Sequence, residues 1–419
     1  MPTLNYRPRV VDAELRAGLT ATGAVVIEGP KACGKTATAR QVSASEVLLD
    51  VDEDARLAAS LDPSLVLDGR TPRLIDEWQL EPALWNHIRR TVDERGEPGQ
   101  FILTGSARPT DDITRHTGAG RITRVAMRPM SLFETGHASG DVSIGKLLRG
   151  DAPRCPDPGL RLPDLIERIV IGGWPSLLGR DARASQRWVR AYLDEIRRTD
   201  INQLDAVSRD PDRVGRLLRA VARNIATPAS AATLARDAGG EEGALARDTV
   251  QAYLNALQRL HIVEDQAAWA PHLRSRSVLR SAGKRHLVDP SLAAAALRAT
   301  PEGLLRDLNL LGFLFESLVV RDLRVYAQAS DASVYHYRDN TGLEIDAIVE
   351  RPDGTWAAFE VELGNAQVDE AAATLKKFAD RVDTGRCGKP ATLAVITGSG
   401  YGYHRPDGVG VVPIGGLGP

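Results

Sequence analysis

Gly29-Pro-Lys-Ala-Cys-Gly-Lys-Thr36 meets the spacing GxxxxGK[ST] at every fixed position. Ahead of it, Gly23-Ala-Val-Val-Ile-Glu28 is an apolar run of a length that suits a buried strand, and behind it Ala37–Ser45 reads as a helix. Strand, glycine loop and helix form the context the spacing requires. A loop with glycine at both ends can turn its amide N–H groups inward to hold phosphate oxygens. The pattern therefore assigns Gly29, Pro30, Lys31, Ala32, Cys33, Gly34, Lys35 and Thr36 to phosphate binding. Lys35 is expected at the β- and γ-phosphates and the Thr36 hydroxyl on Mg²⁺.

The second half of such a site is acidic. Pro72-Arg-Leu-Ile-Asp-Glu-Trp78 reads as an apolar strand ending in adjacent carboxylates. Asp76 is the candidate for the Mg²⁺ shell, and Glu77 for orienting or deprotonating the attacking water. Gln100-Phe-Ile-Leu-Thr-Gly-Ser106 gives another buried strand with a polar tip, where Thr104, with Ser106 as second choice, is the candidate contact to the γ-phosphate or its water. Arg121, in Gly118-Ala-Gly-Arg-Ile122, is a candidate for stabilising transferring phosphate in its own or a neighbouring subunit. Glu46–Asp50 and Thr123–Met127 read as further strands and Ala83–Glu94 as an amphipathic helix. This alternation argues for a mostly parallel sheet with its ligand at the carboxyl edge.

Composition sets the limits. The chain has 419 residues, 43% hydrophobic and 26% charged, and a net charge of -2, so no global basic field exists to hold nucleic acid. Cys33, Cys155 and Cys387 are far apart and form no CxxC pair, which argues for a reducing cytoplasm and no structural metal. Cys33 is either an oxidation-sensitive thiol or a small filler of the loop. The first residues lack an apolar core of signal-peptide length and no run approaches a membrane span, so a cytoplasmic protein without membrane contact is expected.

Residues 212–262 are helical in pattern; Ser230–Asp237, Gly239-Gly240 and Ala244–Leu260 read as helix, turn and longer helix. A hairpin with the basic tip His272–His286 follows, the order of a winged helix. Its groove-facing candidates are Arg247, Gln251, Asn255 and Arg259, with Asp248 among them; DNA is the partner such a face would take. Beyond it, a helix over Leu304–Val325, strands over Ser333–Tyr337, Leu343–Val349 and Trp356–Leu363, a helix over Gln367–Asp380 and a strand over Ala391–Thr397 give the order of a restriction-endonuclease-like fold. Asp346 and Glu360 fit its metal positions, with Glu316 as a third. Glu362 stands where the chemistry needs lysine, so cleavage is expected to be impaired unless Lys376 or Lys377 reaches the site.

With the phosphate loop, Leu74-Ile-Asp-Glu77, Leu103-Thr-Gly-Ser106, Gly120-Arg121, Gly172-Gly-Trp-Pro175, Gly312-Phe-Leu-Phe-Glu316 and Tyr337-Arg-Asp339…Glu344-Ile-Asp346 in this order, the chain resembles the prokaryotic AAA-type ATPases with a C-terminal domain of unknown function. That resemblance implies ATP as the nucleotide, a winged helix and a PD-(D/E)xK-like fold. Two departures stand out: Glu362 in place of lysine, and Trp78 where a smaller aliphatic is common. The expected organisation is α/β: a P-loop ATPase domain over 1–145, a helical linker over 146–205, a winged helix over 206–300 and a nuclease-like domain over 301–419. The expected function is a Mg²⁺-dependent ATP-binding protein, a slow ATPase whose nucleotide state moves the C-terminal part, working with a protein partner or as a homo-oligomer. An ATP-controlled DNA-binding regulator and an active nuclease are the alternatives.

Overall fold

The computed structural model describes residues 6–107, 117–205, 207–240, 243–271 and 283–419. Contacts divide the chain into two units. One contains residues up to Pro129 with Thr199–Ser208 and Ala256–Ile262; the other contains Met130–Arg198, Arg209–Asn255 and Val263–Pro419.

In the first unit, β1 (Ala24–Glu28), β2 (Ser45–Leu48), β3 (Arg73–Asp76), β4 (Phe101–Gly105) and β5 (Ile122–Ala126) make a sheet of order β2-β3-β4-β1-β5. All neighbours pair in parallel. A parallel sheet is covered on both faces, which explains why β1 and β4 are apolar without alternation. Val25 and Ile27 pack with Leu15, Leu19, Ile102 and Val125 on one face. Ala24 and Val26 pack with Ile75, Trp85, Ile88 and Leu103 on the other. The helices Val11–Ala21 and Leu84–Arg95 supply these covers, the second through Leu84, Trp85, Ile88 and Val92. The strand expected over Glu46–Asp50 ends at Leu48, and Asp50 lies in a turn. The helix expected over Ala37–Ser45 occupies only Lys35–Ala39.

The second unit opens with the short helix Leu132–Thr135 and the short strand β6 (Val142–Ser143), followed by further helices. At its centre is the alanine-rich helix Pro290–Ala296, in which every residue from Pro290 to Ala295 is buried. It packs against the helices Leu162–Ile171, Ala182–Glu195, Pro211–Arg223 and Leu308–Gln328. Small side chains permit that close approach. The Gly172-Gly-Trp-Pro175 turn belongs to the same packing. A Cβ on Gly173 would stand 2.0 Å from the Met130 carbonyl oxygen, and the Trp174 indole donates to Ser291 at 3.1 Å.

The helices Ala231–Asp237 and Arg247–Arg259 precede β7 (Val263–Gln266) and β8 (Lys284–Leu287), an antiparallel pair. Of the expected basic tip His272–His286, residues 272–282, with Arg274, Arg276 and Arg280, lie outside the described residues, while Lys284–His286 are part of β8. The final sheet contains β9 (Ser333–Arg338), β10 (Glu344–Glu350), β11 (Trp356–Glu362), β12 (Thr392–Thr397), β13 (Tyr403–His404) and β14 (Gly410–Pro413), in the order β13-β14-β12-β11-β10-β9. β9, β10 and β11 are antiparallel, while β12 and β14 continue the sheet in parallel. The helices Leu308–Gln328 and Val368–Arg381 pack against it. The single helix expected over Leu304–Val325 is two, because Asp307 caps a new helix by accepting the Leu310 amide at 3.0 Å. A last strand, β15 (Leu417–Gly418), pairs with β6.

The helical layer is tied together by charge. Arg321 donates to Asp289 at 2.8 Å and to Asp322 at 2.7 Å, and both carboxylates have no solvent exposure. Asp289 also accepts the Gly173 amide, and Asp322 accepts the Leu132 amide, each at 3.0 Å. Removing one partner of such a group leaves an uncompensated buried charge. Arg321→Ala is therefore expected to destabilise the chain by about 3–5 kcal/mol, measured as a lowered urea midpoint; a loss under ~1 kcal/mol would contradict this reading.

Candidate functional site

The phosphate-loop segment leaves β1 at Glu28 and turns back at the carboxyl edge of the sheet. Ala32 (φ 62°) and Gly34 (φ 105°) take left-handed conformations, which allows the loop to curl before the helix starts at Lys35. Gly29 has no room for a side chain: its Cβ would lie 2.1 Å from the Met127 carbonyl oxygen and 3.3 Å from Cys33 Sγ. Cys33 is fully buried in the core beneath the loop, a packed filler. Lys35 is 5% exposed, and its ammonium donates to the carbonyls of Gly29 and Pro30 at 3.0 and 2.9 Å. Lys31 is half-exposed and donates to Asp200 at 2.6 Å.

The acidic half arrives by strand register. Asp76 ends β3 directly opposite Thr104 on β4, which in turn lies opposite Ile27 of β1. Thr36 donates to Asp76 Oδ1 at 2.9 Å, and Thr104 donates to the same oxygen. Burial pushes the Asp76 carboxyl above its usual range, while the bonds from Thr104 and Thr36 pull it down. Glu77 adopts a left-handed conformation (φ 52°) that turns its side chain out of the strand pattern. There it accepts hydrogen bonds from Gln79 and, at 3.2 Å, from Ser106. Ser106, the second choice from the sequence, thus meets Glu77, while Thr104 is engaged with Asp76. Gln79 is a member that sequence reasoning missed, since nothing in Trp78-Gln-Leu80 marks it.

Arg121 is elsewhere. It immediately precedes β5, whose first residue Ile122 pairs with Ala24 at the start of β1. That is the amino edge, opposite the loop, and there Arg121 pairs with Asp93 at 2.8 Å. The own-chain role expected of it is not met by this geometry, because five-residue parallel strands set the two edges about 16 Å apart.

A second cluster lies in the C-terminal sheet. The β9/β10 register shifts between Ile345 and Ile348, a bulge that re-aims Asp346. Asp346 accepts the Val361 amide at 3.0 Å and shares a hydrogen bond with Glu360. The structure brings Asp346, Glu360 and Glu316 together, as the sequence suggested, but around an ammonium from β8. Lys284 donates to Glu316 at 2.7 Å, Glu344 at 2.8 Å and Asp346 at 2.9 Å. Burial disfavours that charge, but the three carboxylates outweigh it and hold the Lys284 pKa well above its ordinary value. Burial lifts Glu360 well above the carboxylate range and Asp346 adds to the effect. Glu316 is pushed up to about 8, mainly by burial and then by Asp346. Among the described residues no group of three or more His, Cys, Asp or Glu side chains is arranged to hold a metal ion. Lys377 lines the adjacent cavity of about 460 Å³ with Glu344, Glu360, Glu362 and Glu370, and Lys376 is not among its lining residues. The lysine of this cluster therefore comes from the hairpin, a position that sequence reading grouped with the basic tip.

On the groove-facing set, Arg247, Gln251 and Asn255 are exposed together with Asp248. Arg259 is turned onto Asp205 at 2.9 Å and the Leu204 carbonyl at 3.0 Å. No helix among the described residues is long and apolar enough to cross a membrane.

Glu362 supplies a pH signature. Burial, then repulsion by Asp346 and Glu370, raises its pKa from 4.5 to about 7. The folded chain holds this proton after the unfolded chain has released it, so stability falls as pH rises from about 4.5 to about 7. Glu362→Gln removes that loss. Its melting temperature should exceed that of the wild type by more at about pH 8 than at about pH 4.5; a difference independent of pH would contradict the assignment.

Comparison with known proteins matches family models along most of the chain. Residues 21–136 match the family model described as AAA domain. Residues 162–303 and 311–417 match two models described as domains of unknown function, DUF8612 and DUF4143. The uncharacterized proteins Mb2031c of Mycobacterium bovis and Rv2008c of Mycobacterium tuberculosis are each 27% identical over 357 residues, spanning 84% of this chain and 72% of theirs. A solved structure, the Walker-type ATPase PABY2304 of Pyrococcus abyssi, superposes with a TM-score of 0.43 and 14% identity over 70% of this chain and 99% of that one. Over residues 21–136, which contain the Gly29–Thr36 loop, the chain is similar to AAA domains.

Proposed function

We propose that this protein binds Mg²⁺-ATP at the Gly29–Thr36 loop, hydrolyses it slowly, and uses the nucleotide state as a switch on the rest of the chain. The observation that carries the reading is the convergence of Thr36, Asp76 and Thr104 at one carboxyl edge, beside the buried ammonium of Lys35. These hard oxygen donors suit Mg²⁺: the Thr36 hydroxyl and the Asp76 carboxylate would hold it, directly or through water. The ion would supply charge neutralisation at the phosphate oxygens. Lys35 would exchange its two carbonyl partners for phosphate oxygens. Thr104 fixes the orientation of Asp76, and Gln79 and Ser106 fix that of Glu77, which would take a proton from the attacking water. Arg259 is engaged with Asp205, and Asp248 is exposed among the remaining groove-facing residues, a poor surface for a duplex.

The switch reading draws on Lys31. Within the first unit, the segment after Thr199 contacts the loop through Asp200 and the last turn of the helix Arg247–Arg259 through Asp205. That helix continues into the second unit. A triphosphate in the loop would compete with Asp200 for Lys31, giving the nucleotide a differential interaction with two arrangements of the segment.

Two measurements test this. Lys35→Ala should abolish ATP binding in calorimetry, whereas Glu77→Gln should keep it and lower phosphate release by about 100-fold or more. Unchanged ATP affinity in Lys35→Ala refutes the site. Asp200→Asn, which removes the ion pair between the half-exposed Lys31 and the buried Asp200, should tighten ATP binding by a detectable factor. Weaker binding in that variant would count against the switch.

A further inference from the structure

We infer that Lys284 is the resident cation of the C-terminal carboxylate cluster: it occupies the position a divalent metal would take, so this cluster is a metal-free clasp for the β7–β8 hairpin. The clasp stands whether or not the Gly29–Thr36 loop holds a nucleotide. An ammonium has three N–H donors, and Lys284 has a carboxylate oxygen for each: Glu316 at 2.7 Å, Glu344 at 2.8 Å and Asp346 at 2.9 Å. Its side chain is 2% exposed. Asp346 has no oxygen to spare, since Oδ1 meets Lys284 and Oδ2 meets the Val361 amide at 3.0 Å. A Mg²⁺ ion needs oxygens at about 2.0–2.1 Å in octahedral array, and it would have to take them from the ammonium while standing within ~4 Å of it. Lysine and metal are therefore mutually exclusive occupants.

The surroundings fit a clasp. Gln266, on the partner strand β7, donates to the backbone carbonyl of Asp346 at 2.8 Å and to that of Tyr335 at 2.9 Å. His286, two residues along β8, bonds Gln266 at 3.1 Å and Ser317 at 3.2 Å. Three side chains of the hairpin thus fasten it at the Asp346 bulge and at the helix that bears Glu316 and Ser317. The lysine is absent from the position on β11 where cleavage chemistry wants it, which Glu362 fills, and is present as a counter-charge delivered from another part of the chain. A cluster saturated in this way takes no divalent ion and cleaves no phosphodiester by a metal-dependent route.

The test is a Mn²⁺ titration followed by electron paramagnetic resonance, on the nucleotide-free full chain. Wild type should show no site that depends on Asp346. Lys284→Met should gain one Mn²⁺ site at least about 100-fold tighter than anything in wild type, and Lys284→Met/Asp346→Asn should lose it again. If Lys284→Met does not fold, Lys284→Gln takes its place. A wild-type Mn²⁺ site abolished by Asp346→Asn overturns the proposal, as does a folded lysine variant that gains no site.

Discussion

The register of β3 on β4 is the constraint from which the nucleotide half follows. It sets Asp76 beside Thr104 and both beside the end of β1, so the acid arrives where the loop begins. A slip of one residue would turn Asp76 to the opposite face and replace it with Ile75, which belongs to the core. The parallel sheet is buried on both faces, with Val25 and Ile27 of β1 packed on one and Ala24 and Val26 on the other. Thr36 and Thr104 then act as two locks on one carboxylate.

The other unit solves a different problem, the accommodation of charges in a dry interior. Arg321 and Lys284 are each surrounded by carboxylates and each joins segments distant in sequence. Around Arg321, the backbone amides of Leu132 and Gly173 donate to the same two carboxylates, so the start of the helix Leu132–Thr135 and the Gly172–Pro175 turn are fastened there. Around Lys284 the acceptors come from a helix and from strand β10. Buried ion pairs stabilise weakly against an apolar alternative, but they specify one arrangement where hydrophobic contacts allow several.

Much of this was legible in the sequence. The loop, Asp76 and Glu77 announce themselves because their spacing is local and their strands are short apolar runs. Strands β9 to β12 were visible for the same reason, to within a residue or two at their ends. Arg121 misled, because a glycine-flanked arginine looks the same at either edge of a sheet and only pairing decides which. The sequence ranks Thr104 ahead of Ser106, but which carboxylate each one meets depends on the left-handed turn at Glu77, which no neighbouring residue signals. Lys284 was hidden among basic residues; its partners lie 32 and 62 positions away, beyond any local pattern. The helix Pro290–Ala296 was passed over because alanines carry no amphipathic stripe, although their smallness is what places it at the centre.

The disposition of the thiols has a practical side. Cys33 and Cys155 are buried, and Cys387 is the partly exposed cysteine. A maleimide fluorophore would accordingly enter at Cys387, at the end of the short helix Thr384–Cys387. Burial raises the pKa of that thiol, so coupling proceeds best in mildly alkaline buffer. The sequence thus carries an attachment point for a spectroscopic reporter beside the core of the C-terminal sheet.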